Sequence, residues 1–313
     1  MSDALVSIII PVYKTEKTLS RCIDSALAQT YPNCEIVIVD DGTPDHAGEI
    51  ADDYASKHTN ILVVHKQNAG LAEARHSGVK AATGDYIIHV DSDDELLPDA
   101  VEFLLGKCIT SNLDIAFGDH VRINERGEKN EIKHNKEGVL TGKEFLTINI
   151  ELNGRCASWG CVAKRDLWLN DIYPPSDRKL PSEDVLINIK LSKYANRVGI
   201  FNHPVCYYYF NSSSLTSTGE LSTLDKWKDY YSIIENELES RDLFTEYEPA
   251  LLTQKIDRLA FYMNNLDTSD QWVKGIICDK RFKLPAKTRL LQFLIKKPQL
   301  WESIRGLKRR FFN

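Results

Sequence analysis

Residues 5–117 alternate between short apolar runs and segments in which apolar residues recur every three or four positions. Val6–Ile10 is a β-branched apolar run that ends at Pro11, and Ile36–Val39 is a second such run. Continuous apolar runs of this length are typical of strands that are buried on both faces of a parallel sheet. Between the two runs, helical spacing predicts a helix with one buried face, formed by Leu19, Cys22, Ile23, Ala26 and Leu27.

The same alternation continues toward residue 90, with a helix near Glu49–Lys57, a strand at Ile61–Val64, a helix at about Leu71–Ala82 and a strand at Tyr86–Val90. This order predicts right-handed crossovers and an α/β fold with a doubly wound, mostly parallel sheet. Ligands of such sheets bind beyond the carboxyl ends of the strands. Acidic clusters at Asp40–Asp41 and Asp91–Asp94 directly follow predicted strands, so we expect both at that edge.

The pattern is less regular after residue 118. Residues 119–138 are polar and charged, which predicts a surface excursion. Thr141 and Glu144 have the spacing of a capping box and predict the start of a helix. Ser182 is placed to cap a further helix that carries Glu183–Asp184 in its first turn.

Two further strands and a change of pattern complete the chain. Ser158–Ala163 and Val205–Phe210 have the composition of short strands. From about residue 214 the pattern becomes wholly helical. We therefore expect two domains, an α/β domain at 1–214 and a helical C-terminal region at 215–313.

Composition indicates a globular protein, since 42% of the 313 residues are hydrophobic and 27% are charged. No apolar run approaches the roughly 20 residues that a membrane-spanning helix needs. The start of the chain has no basic stretch before an apolar one, so we expect no secretory signal and a cytoplasmic location. Seven cysteines without a C-x-x-C pair favour neither a zinc site nor a disulfide framework.

The net charge of −6 is unevenly distributed. Residues 280–313 contain eleven Lys or Arg and one acid, whereas the rest contains 28 basic and 44 acidic residues. A nucleic-acid-binding protein would carry basic charge on its main domain, so no nucleic-acid partner is expected. Residues 286–313 combine basic residues with an apolar helical stripe, which is typical of a helix on an anionic membrane surface. Packing of this helix on the acidic remainder of the chain is the alternative.

The segment Asp91-Ser92-Asp93 is the first candidate for chemistry. Two carboxylates two positions apart on an extended segment point the same way, and they repel each other unless a cation lies beside them. Oxygen-only ligands favour Mg²⁺ or Mn²⁺, which complete their coordination with water and substrate phosphates. The alternative is an acidic loop that caps the helix after Pro98.

Further candidates lie on the same predicted edge or in the second half of the chain. Tyr13 can stack on a nucleobase, and Asp41 can accept a hydrogen bond from a base, although both also suit ordinary turns. Asp184, beside Glu183 in a first helical turn, can act as a general base, or it can reflect the usual preference for acids at helix starts. Trp159 can form an apolar platform for an acceptor sugar or belong to the core.

The glycine-rich motifs that usually bind phosphates are absent. The sequence contains no G-x-x-x-x-G-K-[ST], and no G-x-G-x-x-G follows the first strand. A bound diphosphate would therefore have to be neutralised by a metal at Asp91–Asp93 and by a cation such as Arg75.

Taken as an ordered set, these segments resemble glycosyltransferase family 2. The resemblance is carried by Val6–Tyr13, Ile36–Thr43, Gln67–Arg75, Gly84–Ile87 and Asp91–Asp94, and it extends to Glu183–Asp184 and Tyr207–Tyr209, which are similar to bacterial members that build surface polysaccharides. It implies a GT-A fold and inverting sugar transfer from a nucleoside-diphosphate sugar. Thr43 stands where serine is commoner, and Phe210-Asn211 stands where a basic residue is usual.

The resemblance also implies a role for each matching residue. The base and ribose would be held by Pro11, Val12, Tyr13 and Asp41, and the nucleotide and diphosphate by Asn68 and Arg75. Asp91 and Ser92 would lie at the ribose or donor sugar, Asp93 would bind the metal together with Asp91, and Asp184 would be the base with Glu183 beside it.

Two other functions are compatible with the same fold. A sugar nucleotidyltransferase would need a basic, glycine-rich loop after the first strand, but Lys14 and Lys17 are not accompanied by such glycines. A non-catalytic sugar-binding scaffold would not need Asp41, Asp91, Asp93 and Asp184 together. We therefore expect a metal-dependent glycosyltransferase, with a UDP-linked donor and a saccharide or lipid-linked acceptor, that acts in cell-surface polysaccharide synthesis.

Overall fold

The computed structural model of the chain describes residues 3–133, 137–151, 157–174, 180–210, 223–262 and 266–297. The chain divides into two compact units, Met1–Ser222 and Thr223–Asn313. The domain boundary predicted between residues 214 and 215 lies outside the described residues and stays a prediction.

Four parallel strands form the first half of a ten-stranded sheet in the order β3-β2-β1-β4. They are β1 (Val6–Val12), β2 (Cys34–Asp40), β3 (Ile61–His65) and β4 (Tyr86–His89). Every residue of β1 is buried, as its continuous apolar run predicted.

Helices cover both faces of this parallel half, so the predicted doubly wound fold is confirmed. Core residues on one face come from α1 (Leu19–Leu27), α2 (Ala47–Lys57) and α4 (Ala100–Thr110). Core residues on the other face come from α3 (Leu71–Ala81), α5 (Gly142–Glu151), α6 (Arg165–Trp168) and α7 (Glu183–Leu191). Alternate residues of β1 pack into the two layers, with Ile8 and Ile10 in one and Ile9 in the other.

The second half of the sheet is mixed in direction, in the order β9-β6-β10-β5, with β7 and β8 paired at its sides. Its strands are β5 (Glu95–Leu96), β6 (Ile115–Ile123), β7 (Lys129–Ile132), β8 (Gly138–Thr141), β9 (Cys161–Lys164) and β10 (Arg197–Tyr209). The surface excursion predicted at 119–138 contains paired strands, because β6 and β7 form an antiparallel ribbon there. Arg122 and Lys129–Glu131 are exposed, and the segment carries no apolar alternation that would reveal the strands.

The capping box predicted at the start of α5 is confirmed. Thr141 N donates to Glu144 Oε2 over 2.8 Å, and Glu144 N donates to Thr141 Oγ1 over 3.2 Å. These reciprocal bonds satisfy two backbone groups that the helix leaves unpaired.

The second unit is helical in its described part, as predicted. It contains α8 (Leu224–Glu239), α9 (Phe244–Phe261), α10 (Gln271–Cys278) and α11 (Ala286–Ile295). A separate core joins α9, α10 and α11 through residues such as Ile256, Val273 and Ile295. Residues 298–313, which include most of the predicted amphipathic tail, lie outside the described residues.

Candidate active site

The ends of β1 and β2 form one side of the site. Pro11 and Val12 are buried in β1, and Val12 O accepts the Asp41 N–H over 3.0 Å. Tyr13 follows the strand with its side chain 43% exposed, and Lys14 Nζ lies 5.1 Å from its ring centroid. Tyr13 is thus open to a flat ligand, whereas Pro11 and Val12 can offer a ligand only backbone atoms.

Asp41 organises the loop that precedes α3. Its carboxylate is buried and accepts the N–H of Ala69 over 3.0 Å, the N–H of Gly70 over 2.8 Å and the ammonium of Lys66 over 2.6 Å. Asn68 Nδ2 donates to the backbone oxygen of Asp41 over 3.0 Å. The structure therefore brings Asp41 and Asn68 together, and a base bound there would share a carboxylate that already accepts three bonds.

Arg75 on α3 connects the two halves of the site. Its side chain is 3% exposed, Nη2 lies 2.6 Å from Asp91 Oδ1, and Nη1 lies 3.9 Å from Asp184 Oδ1. Burial opposes the charged form, but the carboxylates of Asp91 and Asp184 outweigh it and raise the pKa of Arg75. Gly78 allows this placement, because a Cβ there would lie 2.4 Å from Ile9 Cγ2 and would push α3 away from β1.

The acidic segment after β4 is a turn, so the extended geometry expected from its sequence is wrong. Asp94 N donates to Asp91 O over 2.9 Å, which closes the turn. Ser92 is buried, and its backbone oxygen accepts a hydrogen bond from Thr18 Oγ1 over 3.0 Å. The three carboxylates nevertheless remain close enough for their charges to influence one another.

Burial and mutual repulsion give Asp93 and Asp94 different charges. Burial, followed by the charge of Asp91, raises the pKa of Asp93 to about 6. The same two causes and the charge of Asp93 raise the pKa of Asp94 to about 9. At neutral pH Asp93 is therefore mostly ionised, whereas Asp94 is neutral and accepts the Tyr209 N–H over 2.9 Å.

Asp91 and Asp93 suit a divalent cation that is shared with a phosphorylated ligand. Among the described residues, no group of three or more His, Cys, Asp or Glu side chains is placed to hold a metal ion. Mg²⁺ commonly takes one or two protein carboxylates and completes its coordination with water and substrate phosphates. Burial, followed by the charge of Asp91, raises the pKa of Asp93, and a cation beside these carboxylates would favour the ionised form.

Helix α7 brings the second pair of predicted acids to the same place. Ser182 precedes the helix in a left-handed conformation, with φ 53°, and makes no side-chain capping bond, so the predicted cap is wrong. Burial and the charge of Asp184 raise the pKa of Glu183, although Arg75 opposes this. The Asp184 side chain is 36% exposed and faces Arg75. Asp184 and Asp91 thus contact opposite ends of one buried guanidinium.

Trp159 lies beside this cluster in the loop before β9. Its ring stacks on Tyr208 with centroids 5.5 Å apart and planes at 12°, and it meets the edge of His120 at 5.1 Å. The indole is partly buried against the core, which agrees with the core alternative, and its role as an acceptor platform stays a prediction.

Three residues of the site were not identified from the sequence. Lys66 contacts Asp41, Tyr208 stacks on Trp159, and Ser158 bonds to Asp184. Only Tyr208 left a signal, because it belongs to the aromatic run at Tyr207–Tyr209. The contacts of Lys66 and Ser158 depend on the pairing of elements that are distant in sequence.

A parallel half-sheet with an acidic turn at its carboxyl edge, joined through Arg75 to an acid at a helix start, agrees with the GT-A class of sugar-transferring enzymes. The model of glycosyl transferase family 2 matches residues 7–167, and the chain belongs to this family. The resemblance and the fold class predicted from the sequence are both confirmed.

The chain is similar to several bacterial glycosyltransferases. It is 34% identical to the uncharacterized glycosyltransferase EpsJ of Bacillus subtilis over 71% of this chain and 66% of EpsJ. It is 28% identical to the glycosyltransferase GlyG of Streptococcus pneumoniae over 68% of this chain and 73% of GlyG. The crystal structure of residues 1–349 of Staphylococcus aureus TarS superimposes with a TM-score of 0.69 at 21% identity and covers 95% of this chain and 87% of TarS 1–349, which establishes the shared fold.

Proposed function

We propose that this enzyme is an inverting, metal-dependent glycosyltransferase that moves a sugar from a UDP-linked donor to a saccharide or lipid-linked saccharide in cell-surface polysaccharide synthesis. The observation that carries the proposal is the position of Arg75 between Asp91 and Asp184. A donor diphosphate beside Asp91 and Asp93 would lie next to both a cation and a general base. Such an arrangement suits a reaction in which one oxygen is deprotonated while another departs with negative charge.

The proposed reaction is a single displacement. Asp184 takes the proton of the acceptor hydroxyl while its oxygen forms a bond to the anomeric carbon, and the bond from that carbon to the diphosphate breaks. The diphosphate leaves with the electron pair, and attack from the opposite face inverts the anomeric centre. A Mg²⁺ or Mn²⁺ ion held by Asp93 and Asp91 would neutralise charge on the departing diphosphate. Arg75 contributes a fixed positive charge on the same side.

The nucleotide is proposed to bind along the ends of β1 and β2. Tyr13 offers an exposed ring for stacking, and Asp41, Asn68, Pro11 and Val12 surround the position next to it. Ser92 and Asp91 would lie nearer the ribose and the sugar. One of the similar TarS structures is a complex with UDP-GlcNAc, at 20% identity and a TM-score of 0.63, which supports a UDP-linked hexose or N-acetylhexosamine as the first donor to test.

Two measurements on the whole chain test the function. Isothermal titration with UDP should show binding that is stronger in Mn²⁺ than in EDTA. A panel of nucleotide-sugars should reveal a donor from which UDP is released, to water or to added saccharides. Absence of metal-dependent UDP binding would favour the scaffold, and release of pyrophosphate from UTP and a sugar 1-phosphate would favour the nucleotidyltransferase.

Trp159 is proposed as a platform for the acceptor sugar, because it directly follows Ser158, the residue that contacts Asp184. Trp159→Ala should raise the KM for the acceptor about tenfold, since aromatic packing contributes roughly 0.5–1.5 kcal/mol beyond the buried area. The KM for the donor should stay within twofold. Trp159→Phe should recover part of the loss, and Trp272→Ala, at a partly buried indole of the second unit, is the matched control. Equal acceptor KM values in wild type and Trp159→Ala would assign Trp159 to the core.

Exposed apolar residues on helix α11 support the proposal that the enzyme binds peripherally to a membrane. Leu290 and Phe293 are 56% and 47% exposed, and Lys297 Nζ lies 5.6 Å from the Phe293 ring centroid. The described residues contain no helix that is long and apolar enough to cross a membrane. We propose that this face and the basic residues to its C-terminal side bind the anionic inner surface of the cell membrane, where a lipid-linked acceptor would be found.

A double change, Leu290→Ser with Phe293→Ser, should reduce co-sedimentation with phosphatidylglycerol vesicles about tenfold, because two apolar anchors are lost. Phe261→Ser is the control, since Phe261 is 75% exposed but lies on α9. Neutral phosphatidylcholine vesicles should bind all variants weakly. If wild type and double variant sediment equally with the anionic vesicles, the membrane contact is excluded.

A further inference from the structure

Ser158 contacts the proposed base through two donors. Its backbone N–H donates to Asp184 Oδ1 over 3.1 Å, and its hydroxyl donates to the same oxygen. Ser158 is 0% exposed, so water does not compete for this hydroxyl. The Nη1 atom of Arg75 lies 3.9 Å from the same carboxylate oxygen. One oxygen of Asp184 is therefore fixed by a buried serine and a buried guanidinium.

The two oxygens of Asp184 have different surroundings. Oδ1 accepts both bonds from Ser158, whereas no donor within the described ranges lies at hydrogen-bond distance from Oδ2. The side chain is 36% exposed, so Oδ2 can be reached by a ligand. The χ2 torsion of an aspartate is otherwise broad and makes its two oxygens equivalent. Here the bonds to Oδ1 fix that torsion and leave Oδ2 available to accept a proton.

Ser158 can fix Asp184 because its own loop is attached to the sheet. Gly160 N donates to His89 O over 3.1 Å at the end of β4, two residues before Asp91. Cys161 Sγ contacts Ser158 O at 3.4 Å. The strand that leads into the acidic turn therefore also holds the loop that orients Asp184.

We propose that Ser158 is a positioning residue that directs Oδ2 of Asp184 toward the acceptor hydroxyl. The inference rests on the proposed function, because it assigns Asp184 the role of base. Ser158 is fully buried, so it is placed to act through Asp184, and we expect its effect on the chemical step and not on substrate binding. Removal of its hydroxyl leaves the longer backbone N–H bond on Oδ1, which loosens the orientation of the carboxylate and withdraws Oδ2 from its productive direction.

Ser158→Ala should lower kcat about 10- to 100-fold, because misplacement of a catalytic group by about 1 Å can cost 100-fold in rate. The KM for the donor and the dissociation constant of UDP in Mn²⁺ should stay within twofold. Ser158→Cys, which keeps the shape but is a weak donor, should behave like alanine. Ser158→Thr, which keeps the hydroxyl, should recover most of the rate. Ser192→Ala is the matched control, since Ser192 is a buried serine at the other end of α7.

A crystal structure of Ser158→Ala gives a readout that does not depend on turnover. The Asp184 carboxylate should be rotated or present in two orientations, and it should keep one orientation in Ser192→Ala. An unmoved carboxylate, or an unchanged kcat in an enzyme that Asp184→Asn inactivates, would overturn the inference about Ser158 alone. Full activity of Asp184→Asn would instead overturn the proposed base.

Discussion

Asp184→Asn is expected to lower the turnover number about 1000-fold while the dissociation constant of UDP in Mn²⁺ stays within twofold. A general base contributes roughly 100- to 10,000-fold to a rate, and the amide cannot accept the acceptor proton. Asparagine preserves the shape of the side chain and retains an oxygen that can accept the bonds of Ser158. The rate of UDP release with the donor found in the panel, measured with and without acceptor, together with calorimetric UDP binding, checks both expectations.

Glu183→Gln is the matched control for Asp184→Asn. The two acids are adjacent in the first turn of α7, but Glu183 has the raised pKa of a buried carboxyl, and Asp184 faces Arg75 with a partly exposed side chain. The Glu183 substitution should therefore cost less than about tenfold in turnover. The assignment fails if Glu183→Gln is inactive while Asp184→Asn turns over at nearly the wild-type rate.

The parallel half of the sheet was predictable because its strands are buried on both faces. Ile36–Val39 is apolar throughout and Val6–Ile10 is interrupted by Ser7 alone, and burial of both faces of a strand requires such a composition. In contrast, β7 is mostly exposed, the apolar run of β6 ends at Phe117, and the pairing of the two strands is a tertiary property. Strand β10 has thirteen residues, whereas the sequence predicted six at Val205–Phe210. Its first part is a strand because it pairs with β6 and β8.

The placement of the candidate site residues was predictable where a residue directly follows a buried strand at the sheet edge. Asp91 and Asp93 follow a buried strand, and the structure places them at its end. The contact of Arg75 with both Asp91 and Asp184 was not predictable, because α7 lies more than 100 residues after α3. The left-handed Ser182 also leaves no signal, since a serine before two acids has the sequence of an ordinary N-cap.

The second large effect is expected for Asp93→Asn, which should remove the metal dependence that we propose for the enzyme. Wild-type UDP binding at pH 7.5, above the pKa of about 6 of Asp93, should be stronger in Mn²⁺ than in EDTA. The variant should bind UDP equally weakly in both, because a neutral amide is a poorer ligand for a hard cation than a carboxylate. Turnover should fall about 100- to 1000-fold, since the charge that stabilises the departing diphosphate is lost.

Asp94→Asn separates loss of a metal ligand from disturbance of the acidic turn. Asp94 has a pKa of about 9, so it is already neutral at pH 7.5, and the amide reproduces its charge and its oxygen for the Tyr209 N–H. It should therefore retain Mn²⁺-enhanced UDP binding and turnover within about fivefold of wild type. Loss of the metal effect in both variants would mean that the turn itself had changed. Retention of the metal effect in Asp93→Asn would exclude Asp93 as the ligand, because this variant lacks the ionised carboxylate that Asp93 has and the neutral Asp94 does not.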